Sequence, residues 1–392
     1  MSTVGIVAEF NPLHNGHKLL LQKAKKYGKV VCVISGNFVQ RGDTAIVEKG
    51  VRAKMALECG ADLVVELPVC YSMSTAQNFA LGAVSILDAL GCDILMFGSE
   101  AGRTCALKKA SGILSSQEFS EKLPENLKGG VTFAKARQIT AEQLGVTKGL
   151  LEGANNNLAI EYITACRNIG SKMQFKTVKR QGAMHDSRET DHDFVSASLI
   201  REKLLKSDFE FVKKYIPEEI GYIFKEDFSD IKRIENTVLG VLRTKTSHEL
   251  SHLPDLSEGV ENKLFSAVKS ATSLSGLYEE IKVKRYTLAR VRRLVLSAFL
   301  GIDNTMFMKT PPYLRILGFN KKGEKIIKEN KHISKIPFVL RANEIENLGD
   351  DAKKVFALEC KATDLYALSF EKPLECGIEY TRNLIKLKEA NK

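Results

Sequence analysis

Val7-Ala-Glu-Phe-Asn-Pro-Leu-His14-Asn-Gly-His17 joins a short β-favouring run to a segment of helical composition. The run before it, Val4–Ala8, is apolar and suits a strand buried on both faces. Pro12 and Gly16 break that strand into a tight loop, and a helix is expected from about His17 to Tyr27. A helix N-terminus presents free N–H groups and a positive dipole end, which together suit phosphate. Two imidazoles three residues apart, around a glycine that lets a ligand approach the backbone, can face the same point. Such a loop suggests a site that holds the phosphates of ATP and stabilises charge developing at the α-phosphate.

Outward from this loop the pattern repeats. Val30–Ser35, Leu63–Leu67 and Ile94–Phe97 read as further buried strands, with helices over Lys49–Cys59 and Ala76–Leu90 between them. This alternation predicts a Rossmann-like α/β fold, a parallel sheet with helices on both faces and its ligand at the strands' carboxyl ends. Residues 102–151 are more polar and read as a helical insertion. The pattern resumes with a helix around Leu158–Asn168, a strand at Gln174–Arg180 and a helix from about Ser196 to Lys206. After Pro217 long Lys-, Glu- and Leu-bearing segments predict a mainly α-helical region. We therefore expect an α/β domain over 1–225 and a helical domain over 226–392.

Charge separates the same two regions. The chain of 392 residues carries a net +11, and residues 231–392 hold 29 basic against 20 acidic residues, a net of +9. A near-neutral front and a basic back suggest that the back meets a polyanion. The eight cysteines show no C-x2-C pair, and several sit in apolar runs as reduced side chains do. Met1–Phe10 has no basic n-region, and the long uncharged stretch Val69–Leu87 is too polar to span a bilayer. A cytoplasmic protein with no membrane contact and no evident protein partner is expected.

Four further segments carry candidate chemistry. Ser196-Ala-Ser198-Leu-Ile-Arg201 opens a helix with two hydroxyls and brings Arg201 within reach of a phosphate. Arg180-Gln181, with His185 and Asp186 beyond, suits a loop over a nucleotide. Asn155-Asn156-Asn157 precedes a helix with more amides than a cap requires. Ile281–Leu300 has six basic residues and no acid: Lys282, Lys284, Arg285, Arg290, Arg292 and Arg293. Val291, Leu294, Val295, Ala298 and Phe299 would bury one face of that helix, leaving the arginines on the other to track phosphates. His248-Glu-Leu-Ser-His252 matches the zinc-protease string, but Pro254 ends its helix too soon and no third ligand is apparent. No metal centre is expected from it.

The H-x-G-H loop and the Ser-x-x-Ile-Arg helix start resemble the nucleotidylyltransferase superfamily. Ser-Gly-Asn-Phe-Val-Gln-Arg-Gly (35–42), Phe-Gly-Ser-Glu (97–100), Arg-Gln-Gly-Ala-Met-His-Asp (180–186), Lys-Arg-Tyr-Thr-Leu-Ala-Arg-Val-Arg-Arg (284–293) and Leu-Gly-Phe-Asn (317–320) extend the likeness. Together they resemble the bacterial tRNA(Met) cytidine acetate ligase family over nearly the whole chain. The resemblance implies activation of acetate by ATP, with magnesium accompanying the nucleotide, and acetyl transfer to the wobble cytidine of elongator tRNA(Met). It implies ATP contacts at Val7, Ala8, Glu9, Phe10, Asn11, Pro12, Leu13, His14, Asn15, Gly16, His17, Lys18, Leu19 and Leu20. Gly98, Asn155, Asn156, Arg180 and Gln181 join them, with Ser196 and Ser198 from the helix start, and His14, His17 and Arg201 would be catalytic. Two other readings fit part of the pattern: a small-molecule cofactor nucleotidylyltransferase, and a non-catalytic nucleotide-sensing RNA-binding protein.

Overall fold

Ser2–Ala8 (β1) is the middle of an eight-stranded sheet whose other members come from both ends of the chain. The computed structural model describes residues 2–128, 131–180, 195–256, 259–282 and 286–387. Next come Gly28–Ser35 (β2), a small hairpin of Phe38–Val39 (β3) with Asp43–Thr44 (β4), then Leu63–Leu67 (β5), Ile94–Ser99 (β6) and Gln174–Lys179 (β7). β1 pairs in parallel with β2 and β6, β2 with β5, and β6 with β7. The spatial order β5-β2-β1-β6-β7 reverses direction between β1 and β6. That switch point leaves a crevice at the strands' carboxyl ends.

The inner strands β1, β2 and β5 are apolar on both faces because both are covered, whereas β7 at the sheet edge, Gln-Phe-Lys-Thr-Val-Lys, is half-exposed. Along β2, Val31 and Val33 enter a core with Phe79, Ala83 and Ile160. Val30, Cys32 and Ile34 enter a second core with Leu21, Ala53, Met55 and Ile200. The helices in these layers include Asn15–Lys25, Lys49–Glu58, Ala76–Ala89, Ala154–Asn168 and Ala197–Leu205. Thr104–Leu114, Gln117–Leu127 and Phe133–Gln143 lie between β6 and the Ala154 helix.

Beyond residue 226 the chain is mainly helical, and it also returns to the sheet. Leu314–Phe319 (β8) is buried throughout and pairs antiparallel with β5. Phe338–Val339 (β9) and Ile385–Lys386 (β10) pair in parallel with β8. One sheet thus crosses the boundary expected near residue 225. The reading of 226–392 passed over β8 because one short apolar run among helical segments has no period of its own. Lys49, fully buried, fastens this junction: its Nζ lies 2.5 Å from Glu66 on β5 and 2.6 Å from Glu379 near the C-terminus. No helix among the described residues is long and apolar enough to cross a membrane.

Candidate active site

The carboxyl ends of β1 and β6 open into a cleft of about 370 Å³. His14 is the N-cap of the Asn15 helix, two residues earlier than the composition suggested. Its Nδ1 accepts the Gly16 N–H at 3.1 Å, and Nδ1 of His17 accepts the His14 N–H at 3.4 Å. The two histidines thus form a reciprocal capping box, and their rings stack with centroids 3.8 Å apart. With both Nδ1 atoms accepting, each ring carries its hydrogen on Nε2. Burial, reinforced by nearby Arg180, lowers His14 to about 3. Burial, His14 and Arg180 hold His17 well below its ordinary value. Two neutral imidazoles, each with an Nε2–H to donate, therefore line the cleft.

This arrangement corrects the expectation that the helix N-terminus offers free backbone donors. The Asn15 N–H is given to the Tyr215 carbonyl, that of Gly16 to His14 Nδ1, and that of His17 to the His14 carbonyl. The helix end is satisfied within the protein, so the imidazoles provide the hydrogen bonds that the amides would have given.

Two cations flank the pair. Arg201 lines the cleft, gives Nη1 to the Asn11 carbonyl at 2.8 Å and gives Nη2 to Ser198 Oγ at 3.2 Å. Arg180 gives Nη1 to Asn155 Oδ1 at 3.1 Å, and Asn155 Nδ2 reaches Glu100 at 2.6 Å. Burial works to raise the Glu100 carboxyl, but hydrogen bonds from the Asn155 side chain and the Asn155 and Asn156 amides hold it below its ordinary value. The charged Glu100 thereby anchors the start of the Ala154 helix and, through Asn155, orients Arg180.

Most of the expected nucleotide residues line this one cleft: Val7 to Asn11, His14, Gly16, His17, Leu19 and Leu20 from the first loop and helix, then Gly98, Asn155, Arg180, Ser196 and Ser198. Five do not. Leu13 is fully buried in the apolar core, and Pro12 lies outside the lining. Asn15 donates its side chain to the Lys214 carbonyl, and Lys18 pairs with Glu219 at 2.5 Å. Asn156 turns inward, accepting the Ala101 N–H and donating to the Leu150 carbonyl. Gln181, His185 and Asp186 lie outside the described residues.

Sequence reasoning missed Gln40, Arg41, Ala76, Phe79 and Tyr162, which also line the cleft. It also missed Arg52, whose buried guanidinium donates to the carbonyls of Glu9, Ser35, Gly36 and Val47. Arg52 ties the first loop to the β2 and β4 loops. A lone arginine in an amphipathic helix gives no sequence signal for such a role.

The basic helix, Leu288–Leu300, departs from its expected open face. Arg290 pairs with Asp255 at 3.0 Å, and Arg293 pairs with Asp255 at 3.3 Å while donating to the Gln40 carbonyl at 3.1 Å. Arg292 lies against the β3–β4 turn, where a Cβ on Gly42 would meet the Arg292 Cβ and the Arg293 amide at 2.6 Å. Gly42 has φ of +71° as well, so both conformation and contact call for glycine. These arginines brace the hairpin carrying Gln40 and Arg41, because Asp255 supplies the acid their own segment lacks. Lys282 is exposed, with Glu279 at 3.7 Å; Lys284 and Arg285 lie outside the described residues. In the His248–His252 string, Glu249 closes a capping box on Thr246, and His252 follows a helix of five residues.

A family model described as HIGH Nucleotidyl Transferase matches residues 1–379. A tRNA(Met) cytidine acetate ligase of Thermoanaerobacter sp. (strain X514) is 38% identical over 99% of this chain and 100% of its own length. The protein of that name from Acetivibrio thermocellus is 35% identical over 98% of this chain and 100% of its own. Thermotoga maritima TmcAL in its apo crystal form has a TM-score of 0.92 at 31% identity, covering 99% of this chain and 100% of that one. The same protein bound with alpha-thio ATP has a TM-score of 0.89 at 30% identity, with the same coverage. The doubly wound sheet, the H-x-G-H cleft at its switch point and these end-to-end likenesses agree: the chain belongs to the tRNA(Met) cytidine acetate ligase family of HIGH-motif nucleotidyl transferases.

Proposed function

We propose that this chain activates acetate with ATP and transfers the acetyl group to N4 of the wobble cytidine of elongator tRNA(Met), giving N4-acetylcytidine. The observation that carries the reading is the stacked, neutral His14–His17 pair, flanked by Arg180 and Arg201 at the switch point of the sheet. An acetate oxygen attacks the α-phosphorus, pyrophosphate leaves, and acetyl-adenylate results. The cytidine amine then attacks the acetyl carbonyl, AMP leaves, and the amine gives up one proton. Neither step needs a protein nucleophile; both need fixed donors where negative charge grows. His14 and His17 would donate Nε2–H to phosphate oxygens, while Arg180 and Arg201 neutralise charge.

Magnesium would reach the cleft on the triphosphate. Glu9 is the one carboxylate among the described cleft-lining residues, and no cluster of three metal-ligating side chains occurs among the described residues. That donor set fits a cation held chiefly by ATP oxygens, with Glu9 beside it. The tRNA would be met by the basic region beyond residue 230, whose net charge is +9. A tRNA substrate puts the reaction in the cytoplasm.

Mass analysis of nucleosides from tRNA incubated with the protein, ATP and acetate tests the reading. N4-acetylcytidine confined to elongator tRNA(Met), and dependent on both small substrates, is expected. Acetate-independent exchange of pyrophosphate into ATP with another acceptor would favour the cofactor-enzyme reading. No exchange at all would favour the sensor.

A further inference from the structure

One wall of the cleft is built from residues outside the expected nucleotide contacts, with Glu9 beside it. Ala76 and Phe79, three apart on the Ala76 helix, and Leu158 and Tyr162, four apart on the Ala154 helix, form this wall from two packed helices. Phe79 and Tyr162 are 2% and 3% exposed, so their rings form fixed walls. The Tyr162 side chain lines the cleft, and its hydroxyl makes no hydrogen bond to a described residue, which leaves the O–H for a ligand. Glu9 lies close enough that burial and its carboxylate together push the Tyr162 phenol up. Ala76 is the first residue of its helix, and Thr75 caps only the Asn78 amide. Gln40 reaches this wall from the hairpin, its Nε2 3.5 Å from the Ser74 carbonyl, and Arg41 lines the same cleft on the side of Arg180.

These features combine an apolar wall of fixed size with three kinds of group that favour a carboxylate: a helix N-terminus, a guanidinium and a phenolic O–H. We propose that this wall binds the acid to be activated. Its carboxylate lies between the Ala76 amide end, Arg41 and the Tyr162 hydroxyl, and its methyl packs on the Phe79 and Tyr162 rings. The ligand class is a short-chain monocarboxylate, and Phe79, Tyr162 and Ala76 set the chain length. The inference rests on the acetate-activating reading above. It adds which residues select two carbons.

Pyrophosphate exchange into ATP, driven by acetate, propionate or butyrate without tRNA, tests the pocket. Ala76→Val adds two methyl groups at a half-exposed helix start and should raise the acetate KM about tenfold or more, the scale of a methylene misfit. Its ATP KM should stay within about twofold. Tyr162→Phe should raise the acetate KM in the same selective way, and Phe79→Ala should raise the propionate-to-acetate ratio of kcat/KM about tenfold. If Phe79→Ala does not fold by thermal melt, Ala76→Val and Tyr162→Phe decide. A folded Ala76→Val enzyme with the wild-type acetate KM overturns the pocket, as does one whose acetate and ATP KM rise together. In a parallel acetyl-transfer assay with tRNA, an Ala76→Val effect on tRNA KM alone would assign this wall to the cytidine and overturn the pocket too. Wild-type protein that exchanges with none of these acids removes the acetate reading itself, a result separate from any behaviour of the variants.

Discussion

His14 does two jobs with two nitrogens: Nδ1 caps a helix and Nε2 is left for a ligand. The jobs can be separated. His14→Asn keeps a short acceptor for the Gly16 amide and loses the reach of Nε2. It should melt within about 1 kcal/mol of wild type, the scale of a cap, while acetate-dependent exchange falls by about one to three orders of magnitude. A variant that loses stability and activity in proportion would mean that the ring serves the fold alone. The depressed histidines also set a pH dependence. His14 titrates near 3 when folded against 6.5 ordinarily, so the unfolded chain binds the extra proton first. Stability from this source is fully present above pH 6.5 and declines as pH falls toward 3, by up to about 1.4 kcal/mol per pH unit. Denaturant titrations between pH 7 and 4 should show a shallower acid loss in His14→Asn than in wild type. Exchange rates between pH 6 and 8 should show no inflection that vanishes in that variant, because the working ring is already neutral.

At the scale of elements, the Leu288 helix is a brace. Asp255 collects Arg290 and Arg293, and Arg293 in turn holds the Gln40 carbonyl. Asp255 has φ of +62°, which asparagine tolerates, so Asp255→Asn removes the charge without straining the backbone. It should cost about 1–3 kcal/mol by urea melt, the range for charge-assisted hydrogen bonds. An unchanged midpoint would show that the pairs contribute nothing. Neutralising Arg290, Arg292 and Arg293 together should destabilise the fold and slow exchange through the displaced hairpin. The phosphate count is better read at exposed Lys282: Lys282→Ala should leave the melt unchanged and flatten the log–log salt dependence of tRNA binding by about one unit.

At the scale of the molecule, the sheet makes the two regions interdependent. β8 covers the β5 edge, and Glu359, Glu379 and Arg382 from the last 40 residues surround Lys49, with Glu66 and Glu48 from the front. Burial opposes the Lys49 charge, but the carboxylates outweigh it and raise the ammonium above its ordinary value. Residues 1–225 expressed alone should therefore show no cooperative thermal transition, having an open β5 edge and apolar surface that the missing residues cover. In the full chain, Lys49→Met leaves the Glu66 and Glu379 carboxylates facing each other and should cost about 3–5 kcal/mol. A well-folded 1–225 fragment would overturn this account of the junction.

The strands β1, β2 and β5 were legible in the sequence as short runs rich in valine and isoleucine, β6 and β7 by their place between helical segments, and the His14–His17 loop because its residue types are rare together. Asn155 and Asn156 could not be told apart. The difference is which amide faces Arg180 and which faces Leu150, and neighbours in sequence share every local signal. Arg52, Tyr162 and β8 were invisible for a related reason: their roles lie in partners far along the chain. The basic helix shows the limit most plainly. Spacing alone determined that the arginines share a polar face, and composition that no acid lies within their own segment. Only the tertiary structure decided that the face is covered, because it brings Asp255 and the Gln40 carbonyl, 35 residues or more away, against guanidinium groups that would otherwise meet water.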